Sequence, residues 1–301
     1  MHKRYRYHTD RVSKNTFRLK IAKFETRDII QIVLLFAILM LWLFIRNGKN
    51  NTDTTEISKH HTMKQLLEIA IQPLGNTMYI WGGGWDVGDE KSGAGSTRIG
   101  VSPAWSEFAQ KQDATYNYED YRYKRELGLD CSGYIGWVVY NLFETEAGKE
   151  GYVTFSTEMA ENFANRGWGK LYKNPKEFLT GDIVSMDGHV WICLGTCADG
   201  SVLLIHSSPP GVSICGTGIP EIETKDSEEN SYDEKMSVAA QLAEEFMETY
   251  YEKWQNTYPN RMVSETYLKN VTVMRWNKQT LTDADVYQAM SGEEVLQILG
   301  E

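Results

Sequence analysis

The 301-residue sequence is short of the devices by which proteins of this size commonly hold metals or nucleic acid. It has no Cys-x-x-Cys and no His-x-x-x-His, the close-spaced pairs that zinc sites favour, and only four cysteines and six histidines in all. It shows no internal repeat, which excludes a solenoid or an array of modules. It also lacks a basic surplus in its body. Beyond residue 46 there are 21 Lys and Arg against 38 Asp and Glu, and so acidic a surface excludes nucleic acid as a partner.

Long apolar runs are scarce as well, with one exception. From Ile29 to Ile45 seventeen residues pass with Gln31 as the only polar side chain. At about 1.5 Å per residue such a helix covers about 26 Å of a roughly 30 Å hydrocarbon core. The 28 residues before it are long for the n-region of a cleaved signal peptide, and Arg46-Asn47-Gly48-Lys49-Asn50 offers no small-residue cleavage pattern. A buried core helix would show a polar face. The expectation is therefore one uncleaved transmembrane anchor at 29–45. Residues 1–46 carry ten Lys and Arg against three Asp and Glu, so the positive-inside rule keeps a basic tail, 1–28, in the cytoplasm and exports the rest. Residues 46–60, polar and rich in Asn and Thr, read as a linker, and 61–301 as one domain with insertions near 84–129 and 217–270. Hydrophobic residues make up 42% of the chain, ample for a core.

Within that domain Cys131 lies in Asp130-Cys131-Ser132-Gly133, where a turn-rich stretch gives way to Ile135, Val138, Val139 and Leu142 at helical spacing. The spacing predicts a helix with one apolar stripe, Asp130 as its N-cap and Cys131 in its first turn. A thiol attacks as thiolate, and the Asp130 charge opposes that form, so an imidazolium is the expected activator. Gly181 to Met186 and His189 to Gly195 read as strands joined by the Asp187-Gly188 hairpin turn, followed by strands Val202 to His206 and Gly211 to Cys215. Antiparallel neighbours of this kind bring His206 beside His189, where it can orient the imidazole. Cys131, His189 and His206 are also a conceivable zinc set, though no close-spaced pair supports it.

These blocks, with Tyr79-Ile80-Trp81-Gly82-Gly83 upstream and Ile205-His206-Ser207-Ser208-x-x-Gly211-Val212 downstream, resemble the NlpC/p60 family of cell-wall cysteine peptidases. The resemblance spans residues 61–217 and the strand Val271 to Trp276. It implies a papain-like α+β fold, an antiparallel sheet with the catalytic cysteine at a helix N-terminus. It implies Cys131 as nucleophile, His189 as base and His206 as third member, with Tyr79 near the thiol and Asp130 and Ser132 helping to bind the substrate's amino end. No cofactor is implied. The implied partners are peptidoglycan stem peptides, cut between D-glutamate and the next diamino acid or at another wall amide. An acyltransferase or amidase using the same thioester, and a catalytically silent wall-binding protein, are the alternatives. The chain departs from the family in the length of 84–129 and in Trp191, which stands where glycine is common.

Three further features complete the reading. Cys193, Cys197 and Cys215 leave disulfide pairing open. Val238, Leu242, Phe246 and Tyr250 predict a long amphipathic helix, and Ser291-Gly292-Glu293-Glu294 a capping box opening a last helix that ends at Gly300. Tyr116, Tyr118, Tyr121 and Tyr123, interleaved with charge, read either as packing residues or as the lip of a groove. The anchor is checked by fusions: a reporter placed after residue 60 is expected to be active outside the cytoplasmic membrane and one placed before residue 28 only inside. Recovery of a soluble form beginning near residue 47 would show a cleaved signal instead.

Overall fold

The computed structural model describes residues 61–220 and 236–301. The tail, anchor and linker expected at 1–60, and the acidic stretch 221–235, lie outside the described residues. Among the described residues no helix is long and apolar enough to cross a membrane.

In chain order the elements that matter are β1 (His61–Thr62), α1 (Met63–Ile71), β2 (Met78–Tyr79), α2 (Pro103–Ala109), β3 (Gly128–Leu129), α3 (Cys131–Phe143), α4 (Met159–Asn165) and β4 (Gly169–Lys173). There follow β5 (Ile183–Met186), β6 (His189–Thr196), β7 (Val202–Ser208), β8 (Gly211–Thr217), α5 (Val238–Tyr250), α6 (Glu252–Thr257), β9 (Met262–Val263), β10 (Thr272–Trp276), β11 (Leu281–Thr282) and α7 (Gly292–Leu299). The fold is mixed α+β. One sheet runs β3-β2-β8-β7-β6-β5-β10-β4, with β9 beside β8. Its body from β8 to β4 is antiparallel, as expected, while β3 joins β2 and β9 joins β8 in parallel.

Alternation along the strands divides the interior in two. Val190, Ile192 and Leu194 of β6, with Leu203 and Ile205 of β7, face α3 in the main core. Trp191, Cys193, Val202 and Leu204 face a second cluster with Val184, Val273 and Phe178. Trp191 is stacked on Phe178 there, with ring centroids 5.9 Å apart, so its bulk is spent in packing. Cys193, Cys197 and Cys215 are buried free thiols.

The helix α3 differs from its one-stripe expectation. Every residue of α3 from Cys131 to Tyr140 is buried, and so is Leu142. A helix apolar all round has to be enclosed, and the 84–129 segment helps to do this. Trp105 of α2 meets Trp137 edge-on at 6.2 Å, the Trp137 Nε1–H donates to the Gly100 carbonyl (3.3 Å), and Gly100 N–H donates to Asn141 Oδ1 (2.7 Å). From another side Tyr134 Oη donates to the Ala70 carbonyl of α1 at 2.9 Å.

At its start α3 is pressed against the Gly82-Gly83-Gly84 loop. A Cβ on Gly133 would stand 2.0 Å from the Gly83 carbonyl oxygen, so no larger residue fits without moving backbone. At the other end of the chain the Ser291 cap forms as expected: Glu294 N–H donates to Ser291 Oγ (3.3 Å) and Ser291 N–H to the Glu294 carboxylate (2.7 Å). Replacing Gly133 by Ala should lower the unfolding free energy in denaturant titration by at least about 2 kcal/mol. Ser291→Ala should cost about 1 kcal/mol, the usual loss of an exposed cap; equal small losses would mean that the glycine loop yields freely.

Candidate active site

Cys131 opens α3 because Asp130 caps it. The Asp130 carboxylate accepts from Gly133 N–H (2.7 Å) and Ser132 Oγ (2.8 Å) on one oxygen and from Gly82 N–H (3.2 Å) on the other. Ser132 Oγ in turn accepts from Trp85 Nε1 at 2.9 Å. The cap therefore fixes the helix start and the glycine loop together. Both side chains border the cleft, yet their polar atoms are engaged with the protein, so an ammonium group reaching Asp130 would share acceptors already taken.

β6 and β7 bring the histidines together. His189 begins β6 after the turn at Gly188, whose φ of 69° suits glycine. Its Nε2 lies 2.9 Å from Nδ1 of His206, which is buried on β7. The next residue, Ser207, donates to the Leu129 carbonyl at 2.7 Å, tying β7 to the strand that leads into Asp130-Cys131. The thiol lies near the start of β6: burial and the Asp130 charge raise its pKa, and the Val190 backbone N–H, adjacent to His189, acts in the opposite direction. The helix start thus places Cys131 near Val190, the residue after His189, and the neighbouring strands pair His189 with His206.

The thiol lies in a cleft of about 310 Å³ lined by Tyr79, Trp81, Trp85, Asp89, Tyr123, Asp130, Cys131, Ser132, Phe155 and Gly188 among others. A larger cavity of about 590 Å³ opens beside Phe178, Leu268 and Met290, but no cysteine or histidine lines it, so the chemistry selects the smaller one. Tyr79 stands near the thiol as the resemblance implies; burial, and then the proximity of Cys131 and Asp130, raise its phenol pKa well above the ordinary value.

Electrostatically the pair differs from the imidazolium-activated thiolate of the sequence reading. Burial, and after it the Asp130 charge, push the Cys131 thiol up to about 12. Burial draws half-buried His189 down to about 4 and holds His206 well below the usual histidine range, with His189 and Arg261 adding to the latter effect. Asp130 itself is pushed up to about 6 by burial, against the pull of its hydrogen bonds. Both shifts favour the uncharged forms, a neutral thiol and a neutral imidazole, because burial opposes solvation of either charge.

Two contributors had no legible signal. Tyr267, in a short turn after β9, packs edge-on against both imidazoles, at 5.5 Å from His189 and 6.1 Å from His206. It comes from a polar stretch without periodicity, far along the chain. Trp85, which holds Ser132, lies in the glycine-rich loop, and only its aromatic character sets it apart. Among the described residues no three His, Cys, Asp or Glu side chains gather in a cluster fit for a metal ion.

The neutral resting pair makes alkylation informative. The rate at which iodoacetamide modifies Cys131 in the resting protein, followed by peptide mapping, should keep rising with pH to at least about 10. A plateau above about pH 5 would instead reveal a thiolate–imidazolium pair.

No family model matches the chain, and comparison with the curated proteins and with the solved structures likewise gives no match.

Proposed function

We propose that this protein is a membrane-anchored, extracytoplasmic cysteine endopeptidase that hydrolyses amide bonds of peptidoglycan stem peptides. The bond between D-glutamate and the following diamino acid is the first candidate. The substrate class rests on the sequence resemblance to NlpC/p60 peptidases, and the localisation on the apolar segment Ile29 to Ile45. The chemistry rests on one observation: a cysteine at a helix start lines a cleft, and His189, which follows the cleft residue Gly188, is hydrogen-bonded to His206.

In this reading His189 carries its hydrogen on Nε2 and donates it to His206 Nδ1, leaving the His189 Nδ1 lone pair as the base. Sulfur attacks the amide carbonyl as Nδ1 takes the thiol proton, so the charged pair forms during attack, not before it. The C–N bond then breaks, and the imidazolium gives its proton to the departing amine. Water, deprotonated by the regenerated imidazole, attacks the thioester; the acid product leaves and the thiol is restored. His206 acts by holding the imidazole in this tautomer.

The test is to digest purified cell wall with the full-length protein and identify new termini by mass spectrometry. Cys131→Ser and His189→Ala should each fold like the parent and lose at least about 1,000-fold in rate. His206→Asn should keep a measurable rate, since an amide oxygen can still accept from His189. Undiminished hydrolysis by Cys131→Ser would remove the thiol mechanism, and restoration of chelator-treated protein by metal would favour a zinc site.

A further inference from the structure

Aromatic side chains are usually buried or scattered singly on a surface. Here, among the described residues, five stand out as exposed, and three of them, Trp81 (43%), Tyr123 (49%) and Phe155 (62%), line the cleft that holds Cys131. Each is braced. The Arg122 guanidinium lies 4.9 Å from the Trp81 ring centroid, and that of Arg125 lies 4.9 Å from Tyr123. Phe155 leans on Trp85 with centroids 5.5 Å apart. The guanidiniums are themselves paired, Arg122 with Glu119 at 3.1 Å and Arg125 with Asp89, so the rings are held in place while much of their surface stays open. A site for an apolar peptide side chain would enclose its rings; these are open and framed by carboxylates and guanidiniums.

Open rings with planar polar groups at their edges match a ligand that alternates apolar C–H faces with hydroxyl edges. We infer that the rim formed by Trp81, Tyr123 and Phe155 binds a pyranose ring of a glycan strand, stacking its C–H face on the aromatics and offering its hydroxyls to Asp89 and Ser156, which also line the cleft. This rests on the reading that the substrate is a wall peptide, and it adds that the peptide is taken while still attached to its sugar. The engaged state of Asp130 and Ser132 agrees, since their hydrogen bonds already serve the helix start and Trp85.

The test separates binding from catalysis. Full-length Cys131→Ser protein is titrated calorimetrically with glycan strands of N-acetylated amino sugars from which all peptide has been removed. Saturable binding is expected, weakened at least ten-fold by Trp81→Ala and by Phe155→Ala, each made in the same background and checked by circular dichroism. Val87→Ala, a 90% exposed residue that does not line the cleft, should change nothing. Absence of binding, or equal binding by both aromatic variants, overturns the inference. Saturable binding of an apolar hexapeptide in place of the glycan, with the same losses, assigns the rim to peptide and overturns it too. Failure of the wild-type protein to cut any wall would instead refute the peptidase reading and leave the glycan result readable by itself.

Discussion

The buried carboxylate of Asp130 joins two parts of the chain, the start of α3 and the glycine loop, that would otherwise meet only by packing. It accepts from the first turn of α3, from Ser132 and from the Gly82 amide, and through Ser132 it reaches the Trp85 indole. A charge-assisted hydrogen bond of this kind contributes roughly 1.5 to 3 kcal/mol, and losing one partner of a buried set costs more than its mean value suggests. The position of Cys131, the path of the glycine loop and one wall of the cleft are consequences of this one group. Burial raises the pKa of the sulfur, and the carboxylate that places it adds to the rise by disfavouring a thiolate next to it.

That tension gives the site its character. Two histidines and a thiol are brought together in surroundings that solvate none of their charged forms well, and the Tyr267 ring closes over both imidazoles. A dry setting makes charge separation costly at rest and makes each fixed dipole count for more once charge develops. After burial and the Asp130 charge, which raise the thiol pKa, the backbone amides of Ser132 and Val190 act in the opposite sense and are such dipoles. Activation in the proposed mechanism therefore belongs to the encounter with substrate.

Much of this architecture was legible locally. The Asp187-Gly188 turn set the facing ends of β5 and β6, and the Ser291 capping box and Gly300 bracketed α7. β5 begins at Ile183, not Gly181, because Gly181 is left-handed (φ 86°) and Asp182 turns inward to pair with Arg275 at 2.7 Å. Longer-range features carried no local mark. β4, half-buried to exposed along its length, is a strand only because β10 pairs with it, and two-residue strands such as β2 and β3 are too short to show alternation. The enclosure of α3 was hidden for a similar reason. Its apolar spacing announced one buried face, while the residues that cover the others, Trp105 and Ala70 among them, lie elsewhere in the chain. The histidine pair could be inferred from strand order; the ring of Tyr267 could not.

The segment between the glycine loop and α3 looks dispensable on a linear map, a long stretch with little regular structure. In three dimensions it is part of the wall around α3, with Trp105 on Trp137 and Gly100 bonded to Asn141. Trimming it to make a minimal domain would lay bare a thirteen-residue helix with no polar side of its own, a surface that recruits other chains. The segment thus serves two surfaces, and changes within it are constrained on one side by the helix it covers and on the other by the cleft it helps to line.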